Sequence, residues 1–219
     1  LAAAGGITAI DLSVAAGSDQ TVGDTVAVAN VESVDASILT SGQAVTITGS
    51  SGANTVIAGA GSDTIRGGGG LDAVQAGGGD DRVDYWGSEA SIDGGTGLDT
   101  LVLSTTAIVN LGNADQTTGD LTAVTTFENV DGSALLAAQG VSITGAASAN
   151  VLTGGAGADT IRGAGGSDAI AAGSGDDTVD YWGSEVSIAG EGGVNTLRLE
   201  AAATVDEGAG DQTTGDPTT

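Results

Sequence analysis

A nine-residue repeat constrains this chain more than any other feature. It runs in two tandem blocks of six copies, over residues 49–102 and 145–198. The eighth position is Val, Ile or Leu in all twelve copies, and the fourth is Gly in nine of them. Gly-rich positions suit tight turns that need positive φ, and the aliphatic position suits a short strand with one inward side chain. Two consecutive copies therefore predict one 18-residue coil of two turns and two strands.

Stacked coils would pair their strands in parallel, so the expected fold is all-β: parallel β-roll or β-solenoid blocks without helices. The net charge, in contrast, favours an unfolded chain. The 219 residues carry 29 acidic and only 4 basic side chains, for a net charge of −25, and such self-repulsion opposes compaction. Disorder is the alternative for so acidic and Gly-rich a chain. The regular aliphatic spacing favours a folded chain that a cation neutralises.

The composition also limits what the chain can do. It has no His and no Cys, which excludes catalytic triads, disulfides and imidazole or thiolate metal sites. Four Arg cannot neutralise a phosphate backbone, so nucleic acid is not an expected partner. No apolar run approaches the length of a membrane span, and no membrane insertion is expected. We find no catalytic constellation and expect no enzyme activity.

A longer repeat of 96 residues contains the nine-residue one. The sequence DQTVGD at 19–24 returns as DQTTGD at 115–120 and at 211–216, and DYWGSE occurs at 84–89 and 180–185. The chain therefore holds little more than two units, and we interpret it as a slice of a longer array. The predicted domains are a β-rich connector (1–48), a first β-roll block (49–102), a second connector (103–144), a second block (145–198) and the start of the next connector (199–219).

The connectors do not keep the nine-residue frame, but they alternate like strands. Strands are expected in short apolar segments at 10–12, 26–28, 45–47, 107–111, 121–127 and 141–143. We interpret the connectors as longer, less regular coils of a continuous solenoid. A separate small β-sandwich between the blocks is the alternative.

The pattern G-G-x-G-x-D-x-U-x, seen for example in GGAGADTIR at 154–162, resembles the RTX (haemolysin-type) calcium-binding nonapeptide repeat. The resemblance implies a Ca²⁺-binding parallel β-roll, in which turns two repeats apart hold the ion. Backbone carbonyls and the sixth-position carboxylates would be the ligands, and Ca²⁺ prefers such hard oxygen donors. The implied ligands are Asp63, Asp72, Asp81, Asp99, Asp159, Asp168 and Asp177, with Asn54, Asn150 and Asn195 as weaker ones.

The fifth copy of each block departs from the pattern. It reads YWGSEASID and YWGSEVSIA, with Ala90 and Val186 at the sixth position. The pattern therefore lacks one calcium ligand per block. Glu89 and Glu185, one residue earlier, are either substitute ligands or surface carboxylates, and the second interpretation is favoured. The Tyr-Trp pair is expected to cover an apolar seam, with a carbohydrate-stacking platform as the alternative.

The resemblance also implies export from a Gram-negative bacterium by type I secretion, with folding outside the cell where calcium is abundant. The favoured function is a calcium-stabilised structural segment of a large secreted surface protein, such as a filament, a surface layer or an adhesin stalk. The alternative is the C-terminal calcium-folding tail of a secreted enzyme or toxin. Calcium ions and further copies of the chain are the expected partners.

Overall fold

The computed structural model describes residues 6–205 and 213–214, and this part of the chain is all-β. It contains no helix, and thus none long and apolar enough to span a membrane. The chain divides into two compact units. The first comprises residues 1–102 and 120–127, and the second comprises residues 103–119 and 128–219.

Short strands make up both units. The first unit contains β1 (Ala9–Asp11), β2 (Thr21–Val22), β3 (Ser33–Asp35), β4 (Thr46–Thr48), β5 (Thr55–Ile57), β6 (Thr64–Arg66), β7 (Ala73–Gln75), β8 (Arg82–Tyr85), β9 (Ser91–Asp93), most of β10 (Thr100–Leu103) and β12 (Ala123–Thr125). The second contains β11 (Ile108–Asn110), β13 (Asn129–Asp131), β14 (Ser142–Thr144), β15 (Val151–Thr153), β16 (Thr160–Arg162), β17 (Ala169–Ala171), β18 (Thr178–Tyr181), β19 (Ser187–Ala189), β20 (Thr196–Leu199), β21 (Thr204–Val205) and β22 (Thr213–Thr214).

Within each unit the strands form two parallel sheets. In the first unit, one sheet has the order β2-β1-β4-β6-β8-β10 and the other β3-β5-β7-β9-β12. In the second unit the orders are β13-β15-β17-β19 and β11-β14-β16-β18-β20. Two short antiparallel pairs, β1 with β2 and β21 with β22, are the exceptions. Alternate strands of the sequence thus belong to opposite sheets, which makes each unit a parallel β-solenoid and confirms the expected fold.

The register confirms the coil length. Val56 of β5 lies opposite Val74 of β7, and Ile161 of β16 lies opposite Val179 of β18, 18 residues later in both cases. Every eighth-position residue therefore stacks on the equivalent residue two copies away, and one aliphatic column lines each sheet. Ten of the twelve are buried: Val56, Ile65, Val74, Val83, Ile92, Leu101, Leu152, Ile161, Ile170 and Val179. The columns are the core, and the last two residues, Ile188 and Leu197, are only half-buried.

The turns need glycine for two separate reasons, which Gly77 and Gly173 illustrate. Their φ angles are +103° and +96°, a region that L side chains rarely adopt. A Cβ atom on Gly77 would also lie 2.2 Å from the carbonyl oxygen of Gly59, and one on Gly173 would lie 2.1 Å from that of Gly155. These oxygens belong to the turn one coil earlier. The repeated Gly therefore lets successive turns stack backbone against backbone.

The connector strands add to the same sheets. In the first unit β3 pairs in parallel with β5 and β12 with β9, and in the second β11 pairs with β14 and β13 with β15. Their coils are longer than those of the blocks: Val34 and Val56 are paired across 22 residues, and Ile92 and Val124 across 32. The connectors therefore form long coils of the solenoid, as interpreted, and not a separate sandwich within either unit.

One expected connector strand was wrong. Residues 26–28 are not a strand, because Val26 and Val28 are held by side chains instead of by a sheet: their N–H groups donate to the carboxylates of Asp24 and Asp19. Val26 is correspondingly exposed. The start of the third connector, 199–219, lies mostly outside the described residues, as does the third DQTTGD segment apart from Thr213–Thr214.

Candidate metal centre

The sixth-position side chains form buried columns at the turns. One carboxylate oxygen of each Asp, Oδ1, accepts the backbone N–H of the residue 18 positions earlier, which is a sixth-position residue except where Asp63 and Asp159 accept from Val45 and Val141 of the connectors. The N–H of Asp63 donates to Asp81 at 2.6 Å, and that of Asp81 donates to Asp99 at 2.9 Å. In the second unit Asp159 donates to Asp177 at 2.8 Å in the same way. The carboxylates therefore link the coils in register, 18 residues apart.

Four such columns bring the predicted ligands together, two in each unit. The first unit has Val45, Asp63, Asp81 and Asp99 in one column and Asn54 and Asp72 in the other; the second has Val141, Asp159, Asp177 and Asn195 in one and Asn150 and Asp168 in the other. Nine of the ten predicted ligands are at most 3% exposed, and Asn195 is the exposed exception. Repeats two apart are thus the ones that meet, as the sequence predicted.

The other carboxylate oxygen, Oδ2, is treated differently along the columns. At Asp63 and Asp159 it accepts the N–H of Gly59 and Gly155, at 3.2 and 2.6 Å. Within the described residues, the buried Oδ2 atoms with no hydrogen-bond partner include those of Asp72, Asp81, Asp168 and Asp177. A buried anionic oxygen without a partner costs the folded state several kcal/mol unless a cation compensates it.

The electrostatics of the columns agree with this geometry. Burial raises the pKa of Asp81 to about 7, and the neighbouring carboxylates of Asp99, Asp63 and Asp80 add to the shift. Burial likewise raises the pKa of Asp168 to about 6, with a contribution from Glu185. Because Asp63, Asp81 and Asp99 follow one another along one column, the ionised form of Asp81 is unfavourable without a positive charge beside it.

The carboxylates alone do not make a complete metal cage. Among the residues that the structure describes, no three His, Cys, Asp or Glu side chains are placed so that they could hold a metal ion by themselves. The remaining oxygens are those of the turn backbone, which lies immediately beside the columns. The carbonyl oxygen of Gly59 accepts the N–H of Gly78, and that of Gly77 accepts the N–H of Thr96, so turn carbonyls face the next turn along the stack. Carboxylate and carbonyl oxygens together are a calcium-type donor set.

The side-chain amides of the asparagines at the starts of the blocks are hydrogen-bonded to nearby backbone groups. The amide oxygen of Asn54 accepts the N–H of Ser50 at 2.7 Å, and its amide nitrogen donates to the carbonyl of Glu32 at 2.6 Å. Asn150 makes the equivalent bonds, to Ala146 and Glu128. Both side chains therefore tie the first turn of a block to the preceding connector strand. This use of their polar atoms was not foreseen from the sequence.

The fifth copies contain the residues that sequence reasoning placed wrongly. Glu89 and Glu185 are not surface carboxylates, since they are 2% and 0% exposed. Each accepts backbone N–H groups of its own turn, beginning with those of Trp86 and Trp182. The 96-residue identity of the YWGSE segments was the available signal that this Glu has a fixed role.

The Tyr-Trp pair divides between inside and outside. Tyr85 and Tyr181 end strands β8 and β18 and are buried, which fits the expected apolar role. Trp86 and Trp182 are 50% and 42% exposed.

Arg66, Arg162 and Arg198 pair with acids one coil away. Arg66 contacts Asp84 at 3.0 Å, and Arg162 and Arg198 contact the buried Asp180 at 2.7 and 2.5 Å. Arg162 also lies over the ring of Trp182, 5.9 Å from its centroid. The paired residues belong to strands β6, β8, β16, β18 and β20, so they do not contribute to the turn columns.

Comparison with known proteins agrees with the geometry. A family model described as "RTX calcium-binding nonapeptide repeat (4 copies)" matches residues 48–83 and 144–179. Each match is 36 residues long, the length of four nonapeptides, and each ends just before the Tyr-Trp turn. No curated protein and no solved structure matches the chain significantly. The RTX calcium-binding nonapeptide repeat is therefore detected in residues 48–83 and 144–179.

Proposed function

We propose that the sixth-position Asp and Asn side chains bind Ca²⁺ together with turn carbonyls, and that the loaded solenoid is a structural segment of a large secreted bacterial surface protein. That the repeats are calcium-binding and form a β-roll segment is the family's property. The assignment of the individual ligands and of the surface role is our proposal.

One observation carries the ligand assignment. The Oδ2 atoms of Asp72, Asp81, Asp168 and Asp177 are buried without a hydrogen-bond partner, while Oδ1 of the same residues is held by the backbone. The backbone bond fixes the orientation of the carboxylate and leaves one oxygen for an ion. Since the chain has a net charge of −25, divalent cations in the columns would also relieve its self-repulsion.

The two columns of a unit are not equivalent. In the first unit one column has three Asp, Asp63, Asp81 and Asp99, whereas the other has a single Asp, Asp72, next to Asn54. More carboxylates in a site raise calcium affinity. We therefore expect a tight row of calcium ions on the Asp63 side and weak binding on the Asp72 side.

The structural role is supported by repetition and by the absence of catalytic residue patterns in the sequence. The connector coils continue the sheets of the blocks, so a unit of one block and one connector can be added 96 residues at a time. We infer that the 96-residue unit, with the boundaries predicted from the sequence, is the building block of an extracellular array. Contact with further copies of the chain is part of this proposal.

Calcium removal tests the binding proposal. Chelation with EDTA should remove the β signal in circular dichroism, and millimolar Ca²⁺ should restore it, because ligand binding and folding are linked. Mg²⁺ at the same concentration is the matched control and should not restore the signal, since Mg²⁺ is smaller, demands octahedral coordination and gives up its waters reluctantly. A spectrum that chelation leaves unchanged would overturn the proposal.

The surface role needs a separate test. Electron microscopy of the calcium-loaded protein should show ordered assemblies that EDTA dissolves. Stable monomers at high concentration would contradict self-association and would favour the calcium-folding tail of a secreted enzyme or toxin.

A further inference from the structure

The fifth turn of each block is built around an anion. In the second unit the carboxylate of Glu185 accepts three N–H groups of its own turn, from Trp182 at 3.0 Å, Gly183 at 2.9 Å and Ser184 at 3.1 Å. In the first unit Glu89 accepts those of Trp86 at 2.9 Å and Ser88 at 3.1 Å. Successive N–H groups that converge in this way form an anion-binding nest. Here the anion in the nest is a side-chain carboxylate of the same turn.

This arrangement is the reverse of the other turns. The sixth-position Asp carboxylates reach across to the N–H of another coil and keep one oxygen available, as at Asp72 and Asp168. Glu185 uses both oxygens on N–H donors of its own turn. A cation at this turn would face converging N–H dipoles. The same turn also lacks the sixth-position acid, because Val186 stands there.

Both glutamate side chains are buried. Glu89 and Glu185 are 2% and 0% exposed, so the N–H groups that donate to them face a carboxylate that water does not screen. Hydrogen bonds to a charged acceptor are stronger than neutral ones. Thr122 further ties the first of these turns to the connector, since its hydroxyl donates to the carbonyl oxygen of Glu89 at 2.8 Å.

We propose that Glu89 and Glu185 are positioning residues that lock the fifth turn without metal. The turn holds its shape through its own carboxylate, and the column of calcium ligands on that side ends at Asp72 and Asp168. Each block thus combines metal-dependent turns with one metal-independent turn at a fixed place. This assignment concerns residues outside the proposed calcium ligands and goes beyond the proposed function.

The test compares two charge-neutralising variants of the full chain in saturating Ca²⁺. Glu185→Gln should leave the number of bound calcium ions unchanged, and should speed hydrogen exchange of the 182–184 amides about tenfold, since the acceptor of their three N–H groups loses its charge and one of its two acceptor oxygens. The matched control, Asp177→Asn, should lower the calcium count and leave those amides protected. Loss of a calcium ion in Glu185→Gln, or unchanged exchange, would overturn the inference.

A second measurement holds even if the Glu185 variant does not fold. In the calcium-loaded, folded wild-type chain, Ca²⁺ can be replaced by Cd²⁺ while the side-chain carboxyl carbon of each acid is followed by NMR. The Asp177 signal should shift when the metal is exchanged and the Glu185 signal should not, whereas equal shifts would make Glu185 a ligand. If no acid responds to the metal, the proposed function fails, and hydrogen exchange of the 86–88 amides in Glu89→Gln still tests the role of Glu89.

Discussion

Asp81→Asn should change stability in opposite directions with and without calcium. Asn keeps the shape of Asp and can still accept the N–H of Asp63, which is the bond that Asp81 makes at 2.6 Å. The chain itself contains the precedent: the amide oxygen of Asn195 accepts the N–H of Asp177 at 3.0 Å. The substitution therefore removes the charge of Asp81 and leaves its link between coils in place.

The size of the metal-free effect follows from the pKa of Asp81. Burial and neighbouring carboxylates raise it from 3.8 to about 7, so at neutral pH the folded state carries a penalty of up to about 4 kcal/mol that the unfolded state does not. Asn carries no such penalty. In EDTA, at a temperature where some fold persists, Asp81→Asn should raise the free energy of unfolding by about 2–4 kcal/mol.

With calcium the sign should reverse. Asp81 lies in the middle of the Asp63–Asp99 column, so an Asn there removes a charged ligand from two neighbouring sites. Two weakened sites should lower the stability of the loaded protein, because the binding free energy contributes to folding. Guanidinium unfolding followed by circular dichroism, in EDTA and in millimolar Ca²⁺, measures both effects.

Asp80→Asn is the matched control, because it removes the same charge one residue away on an exposed side chain. It should give a small change of the same sign in both buffers. If Asp81→Asn destabilised the metal-free chain as well, the charge of Asp81 would not destabilise the folded state in the absence of calcium. If it stabilised the chain in both buffers, Asp81 would not be a calcium ligand.

Three further outcomes are expected. Gly119→Ala should lower the free energy of unfolding by about 1–2 kcal/mol in thermal melts, because φ is +93° there and nothing lies within 4 Å of the added Cβ. Gly77→Ala should lower it further, because its Cβ would also lie 2.2 Å from a backbone oxygen. Without calcium, the free energy of unfolding should fall as pH rises from about 4 to about 7, because Asp81 and Asp168 have raised pKa values in the folded state and their ionisation opposes folding; denaturant titrations across that range would show a rise instead if the reasoning were wrong. Asp81→Ala should lower the calcium count in equilibrium dialysis more than Asp99→Ala, and equal losses would contradict pairing of repeats two apart.

Much of the fold follows from the sequence because a nine-residue period is a local property with a direct geometric meaning. Position eight supplies one inward aliphatic residue per strand, and two copies close a coil, so Val56 must stack on Val74 once the coils are parallel. The Gly positions follow for the same reason, since turns that stack every 18 residues leave no room for a Cβ at Gly77. The positions of the acids could be predicted, and so could the partners that meet across the columns.

Tertiary structure decided what each polar atom contacts. The period places Asp81 beside Asp63 and Asp99, but only the turn conformation assigns one oxygen to a backbone N–H and leaves the other buried without a partner. Glu185 shows the limit most clearly: whether it lies at the surface or fills its own turn depends on the direction of three N–H groups, which no residue pattern specifies. The apolar pattern at Val26 likewise predicted a strand. In the structure its N–H donates to the carboxylate of Asp24 and not to a neighbouring strand.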